Sequence, residues 1–425
     1  MKTYFLPFAA ILLCPFVFFA EAEEKKQADL LRAKASGGDP ESAFKLGNEY
    51  FYGENGRKKN ELLAAHWYLQ AAKKNIPEAM YNYAVCAERI AKSASDRFKA
   101  FQWYKKASEK DFDPARFRLA SFYSNGLTDE NGKVLVRKSP ASALEQLEIL
   151  NSREYEPGEL QLALLLLQKD VLPARKARAF RILSKVCARP KSSPIAQRLL
   201  ADCYYGGFGC EKNPAKAFIL LRNASDRGDI EATAKLGYLH EHGANGVKKN
   251  LKQAYSFYKK AALQNHPMGL YKYGEALFEG YLKEKGKSRK DALSLLEKSA
   301  SLHCVQAMYK LGNIYEMGLG GEAVNVHIAA RCYYEAAKAN FAPAQYKSGQ
   351  FFSEGKGVRA KDDAAAFYWY ERSARQGYPP AMRSAGIALI EGKGTEANRR
   401  KGFLLLQMAA KRGDVTAIRL LETMQ

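Results

Sequence analysis

Three short patterns in the chain contain residue types found in catalytic sites. Ser42, Ser256 and Ser353 each stand three residues before a lysine, the spacing of the serine and lysine in penicillin-interacting enzymes. The sequence has neither of the Lys-Thr-Gly and Ser-Asp-Asn motifs that accompany this pair in those enzymes. We attribute the pattern to chance and predict no catalytic residue.

Two further patterns suggest ligand binding only weakly. His240 and His242 flank a glutamate, but a spacing of two residues places their rings on different sides of a helix, whereas zinc motifs use a spacing of four. The glycine clusters at 206–209 and 318–321 do not follow a strand, so they lack the context of a phosphate-binding loop. We predict no metal site and no cofactor.

A repeat of about 37 residues organises the chain. The repeats start at Gly38, Asn75, Asp111, Glu154, Ser192, Gly228, Asn265, His303, Asn340, Gly377 and Gly413. The fourth residue after each start is small. In the ten complete repeats the ninth residue is also small, and the fifteenth is glycine in eight of them. A fixed period of this length predicts stacked repeats without a central core.

The repeat that begins at Asn340 shows how each repeat is expected to fold. Pro343 suits the first turn of a helix, Gly355 stops that helix, and Asp362 caps a second helix. Small residues on the first helix let the second helix approach closely. Five aromatic residues of the second helices are predicted to fill the space between repeats: Tyr68, Tyr104, Tyr258, Tyr334 and Tyr370. The predicted fold is all-α, an α/α superhelical solenoid of about ten helix-turn-helix repeats plus a C-terminal capping helix, over residues 38–425.

The N-terminus has the composition of a signal peptide. Lys2 precedes an apolar run from Phe5 to Ala20, and small residues at Ala20 and Ala22 suit a cleavage site. We predict a signal peptide at 1–22, a helical lead-in at 23–37 and no transmembrane anchor. The protein is expected to be exported to the periplasm, the cell surface or the medium, with the lumen of the endoplasmic reticulum as the alternative.

Charge and cysteine content add two expectations. The net charge of +22 suggests an anionic neighbour, although a basic soluble surface explains it equally. Basic clusters recur between the two helices of a repeat, as at 57–59, 248–249 and 399–401, and form a basic rim that could bind an anionic envelope polymer. Nucleic acid is not expected as a partner. Cys86 and Cys203 are predicted to be buried thiols, with a local Cys203–Cys210 disulfide as the alternative.

The repeat pattern resembles the Sel-1-like repeat family, a relative of the tetratricopeptide repeats. The resemblance rests on Leu236-Gly237 with Tyr258 and Ala261-Ala262, and on Gly357-Val358 with Trp369-Tyr370. It implies a curved adaptor that holds other proteins. Some cysteine-rich bacterial members are linked to β-lactam binding or hydrolysis, but this chain lacks their regular cysteine pair in each repeat.

The sixth residue after each start is expected to line the concave face that the first helices form. Aromatic residues and arginine dominate binding hot spots. The predicted partner-binding residues are Phe44, Tyr81, Phe117, Arg198, Tyr271, Tyr309, Tyr346 and Arg383. The alternative is that these side chains only pack between adjacent first helices.

The predicted function is therefore that of an exported, non-enzymatic scaffold or adaptor for another protein or peptide. The alternative is a cell-envelope enzyme or binder that acts on cell-wall or β-lactam ligands, such as a β-lactamase-like hydrolase.

Overall fold

The computed structural model describes residues 26–168, 172–243 and 247–424. The chain divides into two compact units. The N-terminal unit comprises the residues up to Ser192 together with Phe208–Glu211, and the C-terminal unit comprises Ser193–Gly207 together with the residues from Lys212 onward.

The N-terminal unit is built of helices with one short hairpin. Its elements are α1 (residues 26–36), α2 (Pro40–Tyr52), α3 (Glu61–Ala72), α4 (Pro77–Ile90), α5 (Ala94–Ser108), α6 (Asp113–Asn125), β1 (Leu127–Thr128), β2 (Val134–Val136), α7 (Pro140–Ser152), α8 (Glu156–Leu166) and α9 (Pro173–Cys187).

The C-terminal unit continues the alternation of first and second helices. Its helices are α10 (Pro194–Gly206), α11 (Pro214–Asp226), α12 (Ile230–His242), α13 (Leu251–Leu263), α14 (Pro267–Phe278), α15 (Arg289–Ser301), α16 (Val305–Met317), α17 (Val326–Lys338), α18 (Ala342–Glu354), α19 (Asp363–Arg375), α20 (Pro379–Glu391), α21 (Arg399–Lys411) and α22 (Val415–Thr423), with a 3₁₀ turn at Leu319–Gly321. The predicted helical-repeat fold is confirmed, and α22 stands where the capping helix was expected.

The predicted helix boundaries have the expected causes. Asp362 accepts a hydrogen bond from the amide of Ala365 at 2.8 Å and so caps α19. Gly355 ends α18 in the left-handed region, at φ 69°. Pro343 lies in the first turn of α18, where a missing N–H leaves no helical bond unmade.

Close packing between the two helices of a repeat explains the small ninth residue. A Cβ added to Gly312 would lie 2.5 Å from the ring of Tyr333, and one added to Gly237 would lie 2.6 Å from the ring of Tyr258. Both rings are buried on second helices. The absent side chain therefore makes the space that the tyrosine fills.

One predicted core aromatic is wrong by a single residue. Tyr333 is fully buried, whereas Tyr334 is exposed. The buried stripe of α17 runs through Ala329, Tyr333 and Ala337, and the next residue lies about a quarter turn away from it. Tyr68, Tyr104, Tyr258 and Tyr370 are buried as predicted.

The all-α expectation also missed the hairpin. Strands β1 and β2 pair antiparallel, with Leu127 opposite Val136. The turn contains Asn131-Gly132, and Gly132 has φ 81°. An Asn-Gly pair between apolar residues is a hairpin signal that could have been recognised in the sequence.

Candidate protein-binding site

The eight predicted partner-binding residues lie on first helices, three in the N-terminal unit and five in the C-terminal unit. All eight are half-buried. We call the side of each unit that carries them the first-helix face. Their partial exposure means that each side chain has both packing contacts and some free surface.

The aromatic members pack against the residue that precedes the next first helix. Tyr81 lies 5.4 Å from Phe112, measured between ring centroids, and Tyr309 lies 5.5 Å from Phe341. Tyr346 contacts Tyr378 in the same way, at 5.6 Å. These pairs support the expected packing between adjacent first helices.

The two arginines make the equivalent contact as ion pairs. Arg198 binds both carboxylate oxygens of Asp229 through its Nε, at 3.1 and 3.0 Å. Arg383 binds Asp414 in the same way, at 3.1 Å to each oxygen. Both aspartates also cap the helix that follows them. The same repeat position thus joins neighbouring repeats either by a tilted or edge-on ring contact or by a charged pair.

A ladder of ion pairs runs beside these contacts. Each pair joins a basic residue on one first helix to an acid on the preceding first helix or at its C-cap. In the C-terminal unit the pairs are Lys235–Asp202 at 2.7 Å, Lys272–Glu241 at 2.8 Å, Lys347–Glu316 at 2.9 Å and Lys310–Glu279. In the N-terminal unit the pair is Arg118–Glu88. Each basic residue of the ladder thus lies beside an acid of the preceding repeat.

Buried tyrosines anchor the acids of this ladder. Tyr333 donates its O–H to Glu316 at 2.6 Å, and Tyr258 donates to Glu241 at 2.6 Å. Burial raises the pKa of the Glu316 carboxyl, but the hydrogen bonds from Tyr333 and Lys347 outweigh burial and hold the pKa below its usual value. Burial and the bond to Glu316 raise the pKa of Tyr333. The glutamate is therefore ionised and fixed at neutral pH.

Several large apolar side chains of the first helices are exposed in addition to the predicted residues. Tyr238 on α12 is 48% exposed, Met317 on α16 is 56% exposed, and Tyr52 on α2 is also exposed. They occupy the tenth or fourteenth residue after a repeat start, one or two helical turns past the predicted position. They could have been predicted from the sequence if positions other than the sixth residue of each repeat had been considered.

The catalytic patterns do not assemble a site. Lys259 pairs with Glu284, and Lys356 lies 3.5 Å from Glu316, so these two lysines have acidic partners. Ser42 is buried at the helix packing position. No hydrogen bond between these serines and their lysines occurs in the described part of the chain.

The histidine pair is divided between two surroundings. His240 is buried and lies 5.6 Å from the rings of both Phe218 and Phe257. His242 stacks on Tyr238 at 4.2 Å on the exposed side. Among the residues that the structure describes, no cluster of histidine, cysteine, aspartate or glutamate has the composition of a metal site.

The basic loops and the cysteines have varied surroundings. Lys58, Lys248 and Arg399 are exposed, whereas Arg57 binds Glu49 at 2.7 Å and is partly buried. Binding of a polyanion by these loops stays a prediction. Cys86 and Cys203 are buried as expected, and burial raises the pKa of the Cys86 thiol to about 12. Within the described ranges, no helix has the length and apolar character needed to cross a membrane.

Comparison with known families identifies the repeat. The model of the Sel1 repeat matches eight segments: residues 40–76, 77–112, 194–229, 230–266, 267–304, 305–341, 342–378 and 379–414. The matched segments begin at the first residues of α2, α4, α10, α12, α14, α16, α18 and α20.

Two curated relatives are fungal regulators. The chain is 26% identical over 329 residues to chitin synthase regulatory factor 3 of Schizosaccharomyces pombe, which covers 76% of this chain and 31% of the relative. It is 27% identical over 256 residues to the chitin synthase regulator SKT5 of Saccharomyces cerevisiae, covering 58% of this chain and 33% of the relative. The chain thus spans about a third of the length of these relatives.

A solved structure shares the fold. The crystal structure of a protective antigen of uropathogenic Escherichia coli strains, which displays an SLR fold, matches with a TM-score of 0.50 and 23% identity. The match covers 92% of this chain and 80% of the antigen. At this identity the likeness supports the fold alone.

The predicted export is wrong. The curated relatives that the chain matches are named as regulators of fungal chitin synthase. An apolar run as short as the one from Phe5 to Ala20 suits a buried helix as well as a signal peptide, so its composition was misleading. The predicted signal peptide at 1–22 lies outside the described residues.

Proposed function

Because the chain belongs to the Sel1 repeat family, we propose that it is a non-catalytic adaptor that binds a partner protein through the first-helix face. The main support is the combination on this face of half-buried aromatic residues, exposed Tyr238 and Met317, and charges that are already paired. Aromatic and methionine side chains are enriched at protein interfaces.

The paired charges favour a particular kind of partner surface. A strongly charged partner would have to compete with contacts such as Lys272–Glu241 and Lys347–Glu316. An apolar surface with a polar rim makes no such demand, and it covers exposed tyrosine and methionine side chains favourably. The chitin synthase regulators are similar over this repeat region, so a regulated enzyme is one class of partner that the proposal includes.

Site-specific photo-crosslinking in the native host tests the proposal. A photoreactive amino acid at Tyr238 or Met317 is expected to crosslink to a discrete partner protein, because both side chains project from first helices. Ile219 on α11 and Leu263 on α13 are matched controls, since they are large, apolar and exposed but lie on second helices.

Charged substitutions provide the complementary test. Tyr238→Glu and Met317→Glu should abolish the crosslinked complex while circular dichroism remains unchanged, since both side chains lie at the surface. Crosslinks that arise equally from Ile219 and Leu263, or a complex that survives both glutamate substitutions, would contradict the proposed face.

A further inference from the structure

A cleft of about 360 Å³ lies between α17, α18 and the loop that follows α18. Its apolar lining includes Tyr334, Phe352 and Val358, and two arginines, Arg331 and Arg359, also line it. The loop is held close to α17, because a Cβ added to Gly357 would lie 2.2 Å from the carbonyl oxygen of Val326. The cleft is formed by the second helix α17, the first helix α18 and a loop, and none of the predicted partner-binding residues lines it.

The cleft exists because one repeat departs from the pattern of the others. Ser348 is the eighth residue after its repeat start. The other complete repeats have leucine or tyrosine there, except for Ala385 in the last: Leu46, Tyr83, Leu119, Leu162, Leu200, Leu236, Tyr273 and Leu311. A serine in place of leucine removes the side chain that would occupy this space.

The hydroxyl of Ser348 is left without a partner in the described structure. The residue is 3% exposed, and its Oγ has no hydrogen bond to any described residue. A buried hydroxyl without a partner is costly and calls for an explanation. A polar group of a ligand in the cleft would supply the missing bond.

The two arginines give the cleft a positive charge. Arg331 and Arg359 are exposed, and neither has a carboxylate within 4.0 Å among the described residues. By contrast, Arg178 on the second helix α9 is paired with Glu148. Unpaired guanidinium groups beside an apolar cleft favour a ligand that combines an apolar side chain with carboxylates.

We propose that this cleft binds an extended segment of a partner protein in which an apolar side chain is flanked by acidic residues. The apolar side chain occupies the space beside Tyr334 and Val358. The peptide backbone bonds the Ser348 hydroxyl, and the acidic residues pair with Arg331 and Arg359. This binding site is additional to the first-helix face and does not depend on it.

Fluorescence anisotropy with the full chain tests the proposal. The probe is a fluorescein-labelled peptide with a central Leu-Phe pair and two glutamates on each side. Ser348→Leu restores the side chain of the other repeats and is expected to abolish binding by filling the cleft. Arg331→Glu with Arg359→Glu should weaken binding by about tenfold or more, since charged hydrogen bonds are lost. The charge control is Lys287→Glu with Lys290→Glu, two exposed positions outside the cleft, and it should bind normally.

Ser348→Ala separates a ligand contact from a structural defect. It leaves the space open and removes only the hydroxyl, so we expect the fold to be retained and the affinity to fall by about threefold to tenfold. Two control probes replace the glutamates with lysines or the Leu-Phe pair with serines, and neither should bind.

Three results would overturn the proposal. The first is that Ser348→Leu binds the probe as tightly as the unchanged chain. The second is that the peptide with serines in place of Leu-Phe binds as tightly as the original probe. The third is that Lys287→Glu with Lys290→Glu weakens binding as much as Arg331→Glu with Arg359→Glu. Tyr238→Glu should bind this probe normally, so a failure here is distinct from a failure of the first-helix face.

Discussion

Two junctions of the C-terminal unit have equivalent helices but opposite packing. Between α15 and α16, Leu293, Leu296 and Leu311 are all buried in one hydrophobic cluster. In helix register, the corresponding residues of α17 and α18 are Ala330, Tyr333 and Ser348, and a cleft lined by Ala330 and Ser348 lies beside them. An alanine and a serine in place of two leucines thus leave this junction open on the same helical framework. In a repeat protein, departures from the repeat are therefore good indicators of function.

The largest effect is expected from opening the filled junction. Leu311→Ser should lower the free energy of unfolding by about 4 kcal/mol, because it leaves a cavity and buries a hydroxyl in an apolar cluster. Urea unfolding followed by circular dichroism measures the change. The control is Leu263→Ser, at a side chain 74% exposed, where a change of less than about 0.5 kcal/mol is expected. A similar loss at both positions would show that the two junctions do not differ as described.

The opposite substitution should close the open junction. Ser348→Leu is expected to raise the free energy of unfolding by about 2 kcal/mol, since a leucine is buried and an unsatisfied hydroxyl is removed. The same urea experiment measures it. A clear loss of stability would mean that the cleft cannot accept the side chain of the other repeats, and the comparison of the two junctions would fail.

A smaller effect on stability is expected at the tyrosine hydrogen bonds of the repeats that start at His303 and Asn340. Tyr333 bonds the charged Glu316, whereas Tyr370 bonds the neutral Ser353 at 3.2 Å. Glu316→Gln should cost about 1 to 2 kcal/mol at neutral pH, since bonds to an ionised group are lost. Ser353→Ala should cost less, because its bond is neutral.

The sign of the pH dependence follows from the lowered pKa of Glu316. A carboxyl whose pKa is lower in the folded state stabilises the fold fully above its ordinary pKa of 4.5, and that contribution is lost as the pH falls through the folded value. Unfolding free energies measured on acidification should therefore fall more steeply for the unchanged chain than for Glu316→Gln. Ser353→Ala should keep the steeper slope. Parallel curves for the unchanged chain and Glu316→Gln would contradict the assignment.

The sequence specifies the repeat framework better than the binding surfaces. The spacing of residues such as Gly312 and Gly355 predicted helix pairs and their turns, because local backbone and packing demands recur in every repeat. The sequence-based prediction wrongly placed Tyr334 in the core, because the repeat pattern alone does not show which of two neighbouring tyrosines faces the buried side of a helix. Contacts between repeats, such as Arg198–Asp229, depend on residues 31 apart and were not foreseen. The cleft also escaped the prediction, although Ser348 was visible as an exception at its repeat position.

The smallest expected effect tests whether positions 331 and 348 face the same space in the open junction. Arg331→Leu alone should change the free energy of unfolding by no more than about 0.5 kcal/mol, because Arg331 is exposed and has no carboxylate partner among the described residues. Together with Ser348→Leu, it places two leucines on the lining of the cleft. If the leucines meet across the cleft as the leucines of α15 and α16 share a cluster, the double variant should exceed the sum of the single variants by at least about 0.5 kcal/mol. A double-mutant cycle from urea unfolding measures this coupling. Strict additivity would mean that the two positions do not face a common space, and the cleft would then be a surface groove rather than an unfilled core contact.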